Sequence, residues 1–416
     1  MRFARYRLAL RQVNGLLDAP FSNAKVAPRW WRWLAVLGLS SSMVVACGSG
    51  SDRPNDAQAG PSLSLELRTA VDGSAVDFGR IGGIVAAGDG TIYVADVQAQ
   101  EIVSINADGT RRSVIGRIGA GPGEFRGLRG TLAWIDGRLH TFDWRNQQIT
   151  LFDASGAVVG TISWPNGRFS GSALLTGGNQ LFAREVIFPP IGAAGVPRPA
   201  PALQFAAFEG AGAPTPLPMP RDSVIWPQSM DCEAPSGAIH ILGIPLRSWF
   251  PREAFLSNGS LAVAHRDSFV IEILDPSTGE SVRQLTRNMP PIALTDERWE
   301  SLPEVVEFRA IQQEANGDLW LPRDRSEACE LPHPEHLPAV RAMASDEAGR
   351  LWIEIASPSG FRLNVFQDDG SFLGEADMPP RDASVPFYVR DNTLYLVTTD
   401  ELDVQSIEVY EVRDVS

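Results

Sequence analysis

Four polar residues that could bind a cation or a polar ligand stand at the ends of short apolar segments. They are Asp96, Asp143, Glu185 and His265, and each lies just before a turn to the next segment. Carboxylates and an imidazole bind divalent metal ions when their side chains converge. An Asp before a turn also commonly accepts hydrogen bonds from the amides of that turn. The sequence therefore leaves two roles open, a ligand site and a turn-stabilising role.

His265 is the best candidate for acid–base chemistry because it takes the position that Asp96 and Asp143 hold in other copies of the pattern. An imidazole changes charge near neutral pH and can act as a general base. The sequence shows no partner for it. There is no Gly-x-Ser-x-Gly elbow and no cysteine with an evident catalytic histidine. We therefore assign no catalytic residue and no cofactor, and a divalent metal ion stays an alternative.

A repeat of glycine turns and apolar strands positions these candidate residues. Its clearest copies are Gly90–Asp96 (GTIYVAD) and Gly137–Asp143 (GRLHTFD), which close at Gly109 and Gly156. Counted from the first glycine, the acid and the closing glycine have identical offsets in both copies. A strand-and-turn repeat of about forty residues is typical of a propeller, whose four-stranded blades bury their faces against neighbouring blades. The period predicts an all-β propeller over residues 61–416.

The same alternation predicts six blades, near residues 79–117, 128–164, 171–208, 257–279, 348–370 and 387–412. The last blade has only three evident strands, and an unpaired strand edge is a liability in water. We therefore expect the alternating N-terminal segment 63–71 to supply the missing strand and close the ring. A seventh blade at residues 316–321 is the alternative, although that segment lacks a following strand pair.

Two insertions interrupt the blade pattern. The proline-rich segment 188–201 lies inside blade three and cannot be a central strand. Residues 295–335, between blades four and five, predict a partly helical insertion. Thr295 suits an N-cap, acidic residues follow it, and Pro303 is expected to break the helix.

The junction after blade one, Gly116–Phe125 (GRIGAGPGEF), resembles that of NHL-type six-bladed propellers, which include bacterial lipoproteins of no assigned activity. Our leading hypothesis for the function is a binding or scaffold module. Gly119, Gly121 and Gly123 precede a strand, whereas a nucleotide-binding turn needs a helix N-terminus, so we interpret them as a tight reversal of the chain. Six-bladed lactonases and lyases, which hold a metal ion near the central channel, are the alternative. Their ligands are not matched here residue by residue.

The N-terminal region predicts export and lipid anchoring. Trp33–Ala46 is a short apolar segment preceded by Arg29 and Arg32, as in a secretory signal. It ends in VVACG, which resembles a bacterial lipobox with Cys47 as the lipidated residue. We therefore expect residues 1–46 to be a signal peptide and residues 47–60, rich in Gly, Ser, Asp and Pro, to be a flexible tether. A secretory signal with an incidental cysteine is the alternative.

Charge restricts the expected partners. The chain has a formal net charge of −14, and residues 1–46 contribute +6, so the remainder carries about −20 and contains no lysine. Because nucleic acids require clustered cations, we expect no nucleic-acid partner. We expect an extracytoplasmic monomer, membrane-attached only through lipid, that binds a protein, peptide or glycan.

Two further cysteines, Cys232 and Cys329, remain for the mature chain. In an oxidising compartment such a pair is more often bridged than free, so we expect a disulfide. Two buried, inert thiols are the alternative.

The sequence also offers an apolar lip that could bind a peptide or glycan. It would consist of Trp226, Trp249 and Phe250. Packing of these side chains between blades is the alternative.

Overall fold

Short antiparallel sheets follow one another along the chain in the computed structural model. The structure describes residues 61–163, 173–177, 180–187, 202–208, 215–217, 230–233, 239–242, 252–265, 268–302, 305–306 and 333–413. All of these residues lie within the unit Gln58–Ser416.

The described chain begins with strand β1 (Ser64–Val71) and the single-turn helix α1 (Gly73–Val76). The first four-stranded sheet contains β2 (Ile81–Ala86), β3 (Ile92–Asp96), β4 (Glu101–Ile105) and β5 (Arg111–Ile115). A short parallel pair, β6 (Arg117–Ile118) and β7 (Glu124–Phe125), leads to the next sheet. That sheet contains β8 (Leu128–Ile135), β9 (Arg138–Asp143), β10 (Gln148–Phe152) and β11 (Val158–Ser163).

The middle of the chain contains a four-stranded and a two-stranded sheet. The first contains β12 (Ala173–Gly177), β13 (Gln180–Ile187), β14 (Ala202–Ala207) and β15 (Thr215–Pro216). The second pairs β16 (Met230–Glu233) with β17 (Ile239–Leu242). The sequence pattern did not predict this two-stranded sheet, because its strands are short and lack the glycine turns of the repeat.

The remaining sheets follow in the same manner. One contains β18 (Glu253–Phe255), β19 (Leu261–Ala264), β20 (Val270–Leu274) and β21 (Ser281–Thr286), and the helix α2 (Asp296–Glu300) follows it. The next contains β22 (Val340–Ser345), β23 (Leu351–Ser357), β24 (Gly360–Phe366) and β25 (Phe372–Asp377). The last contains β26 (Tyr388–Arg390), β27 (Thr393–Thr399) and β28 (Gln405–Arg413).

The first strands of successive sheets contact one another in a closed cycle. The order of contact is β2, β8, β12, β18, β22 and β26, which returns to β2. Consecutive sheets also pack face to face, as where Phe182 stacks on Phe255 with ring centroids 3.6 Å apart. A cycle of antiparallel sheets around a common axis is an all-β propeller, as the repeat predicted.

Strand β1 completes the last sheet from the other end of the chain. It pairs antiparallel with β28 from Ser64 opposite Arg413 to Val71 opposite Ile407. The predicted pairing of the N-terminal segment with the last blade is therefore confirmed. Gln405 strengthens the junction, because its side-chain oxygen accepts a hydrogen bond of 2.6 Å from the amide of Ile81 on β2.

The helical insertion is described only at its ends. Thr295 caps α2 as predicted, since its side chain accepts a hydrogen bond from the amide of Arg298. The helix ends at Glu300, ahead of Pro303. Most of residues 303–332, the proline-rich segment 188–201 and the alternative blade segment 316–321 lie outside the described residues. Within the part of the chain that is described, no helix is long and apolar enough to cross a membrane.

Two glycines allow the first strands of neighbouring sheets to approach closely. A Cβ atom at Gly83 on β2 would lie 1.8 Å from the carbonyl oxygen of Gly130 on β8. Gly130 itself adopts a φ of +82°, a conformation that favours glycine. The close contact between β2 and β8 therefore depends on both residues lacking a side chain.

We expect Gly83→Ala to lower the free energy of unfolding by about 1–3 kcal/mol, because the new methyl group meets backbone that cannot rotate away. Urea denaturation followed by circular dichroism measures this change. Gly160→Ala is the control, since a Cβ on this residue of β11 would meet no atom within 4 Å. Its effect should stay within about 0.5 kcal/mol. Equal losses in the two variants would contradict the proposed role of the close approach.

Candidate functional site

One face of the propeller carries both the sequence-predicted residues and the strongest cluster of charges. Because neighbouring strands are antiparallel, each second strand ends on the face where its first strand begins. We call this the upper face; it carries the connections from second to third strands and those between successive sheets.

Asp96 ends β3 on the upper face and is 1% exposed. Its carboxylate accepts hydrogen bonds from the turn amides of Gln98 at 3.0 Å and Ala99 at 2.9 Å. It also accepts from the amides of Gly79 at 2.6 Å and Arg80 at 3.1 Å, which lead into β2. The carboxylate thus joins the turn to the segment that enters the first strand of the same sheet.

Asp143 ends β9 and repeats this arrangement, again at 1% exposure. It accepts hydrogen bonds from the amides of Arg126 at 2.6 Å, Arg145 at 2.9 Å and Asn146 at 2.9 Å. The side-chain amide of Asn146 donates a further bond of 2.9 Å to it. Four donors surround each carboxylate, so these contacts correspond to the turn-stabilising role.

Asn146 extends the Asp143 network to the glycine-rich junction. Its side-chain nitrogen lies 3.2 Å from the carbonyl oxygen of Gly119 and 3.3 Å from that of Glu124. Within the junction, the Glu124 carboxylate accepts from the amide of Gly121 at 2.9 Å and from Arg117 Nε at 2.8 Å. These contacts lower the pKa of Glu124, the hydrogen bond from Gly121 most of all. The junction is a chain reversal between β5 and β8, as its glycines predicted.

Glu185 and His265 occupy different local settings. Glu185 lies opposite Gln204 within β13, which continues two residues further to Ile187. The side chain of Glu185 lies outside the described residues. His265 directly follows β19, and its amide donates to the carbonyl oxygen of Val270 at 2.8 Å. Its Nε2 lies 3.6 Å from Oε1 of Glu272, and its side chain is 37% exposed.

The described residues do not bring the predicted ligands together as a metal centre. Among them, no group of three His, Cys, Asp or Glu side chains could hold a metal ion. Cys232 lies on β16, opposite His240. Cys47, Cys329 and the tryptophans of the predicted apolar lip lie outside the described residues.

A cluster of buried charges on the upper face was not identified from the sequence. It consists of Arg252, Glu253, Arg341, Glu354 and Arg381, which we call the arginine cluster. Arg252 immediately precedes β18, and its carbonyl oxygen accepts from the amide of Ala264, next to His265. Glu253 begins β18, Arg341 and Glu354 lie on β22 and β23, and Arg381 lies in the connection between β25 and β26. The cluster therefore joins two neighbouring sheets and the connection that leads to the next one.

Arg381 is held firmly at the centre of the cluster. Its Nε donates to Glu354 Oε2 at 3.1 Å, and its Nη2 contacts the same oxygen. Its Nη1 donates to the carbonyl oxygens of Val385 at 2.9 Å and Asp382 at 3.2 Å. The side chains of Arg381 and Glu354 are 6% and 1% exposed. Such a buried pair fixes the orientation of both groups.

Arg341 lies at a β-bulge, where the register of β22 against β23 shifts between Val340 and Ala342. Bulges redirect side chains and are frequent near functional sites. The Arg341 guanidinium carbon lies 3.8 Å from the ring centroid of Phe361, and Nη1 lies 3.8 Å from Glu354 Oε1. The side chain is 14% exposed.

The pKa of Arg252 depends on its burial and on the charges around it. The pKa of Arg252 is lowered to about 10, mainly by burial and in part by the neighbouring charges of Arg341 and Arg381, whereas the charges of Glu253 and Glu354 oppose the change. The folded protein thus disfavours the charged form of this guanidinium relative to water. Perturbed pKa values of this kind concentrate at functional sites.

Comparisons with solved structures found distant similarities. Virginiamycin B lyase from Staphylococcus aureus is 12% identical, with 84% of this chain and 99% of that chain covered and a TM-score of 0.42. A member of the DUF4221 family from Bacteroides vulgatus is 10% identical over 85% of this chain and 99% of its own, with a TM-score of 0.49. A gluconolactonase from Xanthomonas campestris is 12% identical over 86% and 99%, with a TM-score of 0.37.

No protein-family model matches the chain, and no curated protein matches it. The similarities among solved structures are too distant to assign a residue or an activity to this chain. The cycle of contacting sheets defines the chain as a β-propeller, and the residues of the upper face are the candidates for its function.

We expect Asp143→Asn to lower the free energy of unfolding by about 2–3 kcal/mol, because an amide would present its NH₂ group to backbone donors that now meet a carboxylate. Urea denaturation measures the loss. Asp153→Asn is the matched control: Asp153 accepts from the amides of Ser155 at 2.9 Å and Ala157 at 3.0 Å, but in an exposed turn. A control variant as destabilised as Asp143→Asn would argue against the role of burial.

Proposed function

We propose that this chain is an extracytoplasmic, lipid-anchored propeller that binds a protein, peptide or glycan on its upper face. The observation that carries this proposal is the arginine cluster, which gathers three guanidinium groups from two neighbouring sheets and the connection that follows them on one face. Removing charged groups from water costs free energy, and a polar group placed on a rigid scaffold is a common feature of binding sites. The buried carboxylates of Asp96 and Asp143, by contrast, already have hydrogen-bond partners in the turns that follow their own strands.

Several finer features belong to the same proposal. We infer a disc of six blades of the NHL type, with β12–β15 as the third blade. Residues 1–46 are the signal peptide, residues 47–60 the tether and residues 61–416 the propeller. Cys232 and Cys329 form a disulfide, and the protein acts as a monomer without a cofactor. Glu185 and His265 border the binding face as ligand contacts, whereas Asp96 and Asp143 support that face through the turns that they hold.

The competing function is a metal-dependent lactonase-like or lyase-like activity near the central channel. His265 and Glu272, with Nε2 and Oε1 3.6 Å apart on the upper face, are the described side chains nearest to such chemistry. The arginine cluster favours the binding function, because it offers charge complementarity to a ligand without requiring a metal ion.

Lipid attachment is tested by Cys47→Ser. Expressed in a bacterial host, the unchanged chain should incorporate labelled palmitate and sediment with membranes, because several buried acyl chains make anchoring effectively permanent. The Cys47→Ser variant should lose the label and leave the membrane fraction. Cys232→Ser serves as the control and should keep both properties. Retention of the label by Cys47→Ser would refute lipidation at this cysteine.

Ligand binding is tested with the full chain purified in detergent and immobilised. Arrays of peptides and glycans are offered to it, and a panel of lactones and esters is assayed in parallel with and without added divalent metal ions. The binding function predicts saturable capture from an array and no turnover. Turnover of a lactone or ester, together with stoichiometric metal retained after dialysis and empty arrays, would replace the binding function by the competing one.

A further inference from the structure

We propose that a second cluster on the upper face binds a sugar that carries a phosphate monoester. The cluster consists of Arg126, Arg129, Trp144 and Arg145, and we call it the Trp144 site. It belongs to the sheet β8–β11 and shares no residue with the arginine cluster. The inference rests on the proposed binding function and commits it to one ligand, a phosphorylated glycan.

Two exposed guanidinium groups pack against one indole ring. The guanidinium carbon of Arg129 lies 4.5 Å from the ring centroid of Trp144, and that of Arg145 lies 5.1 Å from it. The indole is half-buried and packs on the core of its sheet, whereas both arginines are exposed. A cation–π contact holds a guanidinium by its face and leaves its N–H groups in the plane of the fork. The site therefore offers two positioned forks that a ligand can reach from solution.

Gly127 fixes the position of the indole. A Cβ atom on Gly127 would lie 2.6 Å from Nε1 of Trp144, so the ring lies directly on this backbone. The carbonyl oxygen of Gly127 also accepts a hydrogen bond of 3.3 Å from the amide of Trp144. On the other side of Gly127, the amide of Arg126 donates to Asp143 at 2.6 Å. The entrance to β8 and the turn after β9 thus form one connected surface.

The positive charge of the site has no acidic partner within the described part of the chain, where none of its three arginines pairs with a carboxylate. The acids of the adjoining segments are already engaged. Asp143 accepts four hydrogen bonds, and Glu124 pairs with Arg117. Burial lowers the pKa of Arg129, and the like charge of Arg145 contributes to this change. An anion from outside would relieve the repulsion between these two groups.

The first sheet shows that the fold does not require the residues of the Trp144 site. The equivalent positions, counted from Asp96 instead of Asp143, hold small or uncharged residues, which are Gly79, Gly82, Val97 and Gln98. Asp96 nevertheless makes the same kinds of contact with its turn and with the entrance to its sheet. Because this turn forms without an indole or a charge, the arginines and the indole of the second sheet are better explained by binding.

The number of charges favours a phosphate monoester over other anions. Such a group carries a charge of about −1.5 to −2 at pH 7 and presents three strong acceptor oxygens. It can therefore offset the charges of both Arg129 and Arg145 and accept hydrogen bonds from both forks. A carboxylate or a sulfate ester carries a single negative charge and would leave one guanidinium without compensation.

Other residues of the upper face restrict the charge on the rest of the ligand. The turn from β27 to β28 lies on this face and exposes Asp400, Glu401 and Asp403. The whole chain also has a formal net charge of −14. An extended polyanion would be repelled wherever it left the Trp144 site, whereas one phosphate on a neutral sugar would not. The ligand charge is therefore expected to be compact.

A glutamine beside the arginines favours a sugar as the carrier of the phosphate. Gln147 follows Arg145 by two residues in the same turn, and it is half-buried. Its counterpart in the first sheet, Gln100, exchanges hydrogen bonds with the backbone of Leu128 on the next sheet. Among the described residues, the side chain of Gln147 has no such bond. An amide both donates and accepts, as sugar hydroxyl groups do, so Gln147 is suited to bind a ring beside the phosphate.

The test uses the full chain purified in detergent and isothermal titration calorimetry at constant ionic strength. The probes are a panel of hexose, pentose and N-acetylhexosamine monophosphates, each compared with its parent sugar and its sulfate ester. We expect the best sugar phosphate to bind about tenfold or more tightly than its parent sugar, because charge-assisted hydrogen bonds are the strong ones. The sulfate ester should bind with an affinity between the two.

Substitutions then locate the binding site. Arg145→Gln introduces the residue that the first sheet has at this position, and it should weaken binding about tenfold, as should Arg129→Gln. Arg145→Lys should retain part of the affinity, because an ammonium keeps the charge without the planar fork. Arg138→Gln is the matched control, since Arg138 is exposed at the opposite end of the same sheet. It should bind like the unchanged chain. Thermal melting of each variant shows that the fold persists.

The remaining outcomes separate this inference from the proposed function. Inorganic phosphate that binds as tightly as every sugar phosphate would overturn the assignment to a sugar, and a phosphoserine hexapeptide that binds more tightly would overturn it in favour of a peptide. Ligands captured from the arrays whose binding neither Arg145→Gln nor Arg129→Gln weakens would overturn the inference and leave the binding function standing. If neither the sugar phosphates nor the arrays show binding, both fail.

Discussion

The pairing of β1 with β28 is the constraint on which the rest of this structure depends. Each sheet of a propeller buries its faces only against its two neighbours, so an open ring would leave two sheets half exposed. The β1–β28 ladder commits both ends of the described chain to one sheet. Gln405 then links that sheet to β2 through the Ile81 amide and to Asp382 at 2.8 Å. Closure thus fixes the distances between sheets, and hence the places where side chains from different sheets can meet.

On the upper face, backbone amides are satisfied in one half of the ring and backbone carbonyl oxygens in the other. In the β2–β5 and β8–β11 sheets, buried aspartates satisfy backbone amides at the entrance to the sheet. In the β18–β21 and β22–β25 sheets, His265 and Ile355 take the position of those aspartates in the repeat. Charged groups from neighbouring strands lie there instead, and Arg381 satisfies the carbonyl oxygens of Asp382 and Val385. The loss of the repeat acid thus coincides with the arginine cluster.

The sequence predicted what is local and periodic. Glycine turns at constant offsets indicated second and third strands, and the missing fourth strand of the last blade indicated the role of residues 63–71. First strands were harder, because β18 has only three residues and β22 contains a bulge. The arginine cluster could not be predicted, since Arg252, Arg341 and Arg381 are far apart in sequence and come together only through the packing of β22 against β18 and the position of the β25–β26 connection. One part of the repeat does mark the position of Arg341. Like Arg129 on β8, it is the second residue of a first strand and lies eight positions before a turn glycine.

Electrostatics acts on this protein at two length scales. The surface charge of the acidic chain is screened within about 8 Å at physiological ionic strength. Inside the cluster, where Glu354 is 1% exposed and Arg381 6%, little water or salt intervenes and single charges interact strongly. The surface field therefore weakens as salt is added, whereas the buried pair of Arg381 and Glu354 keeps its strength, because burial excludes the screening ions.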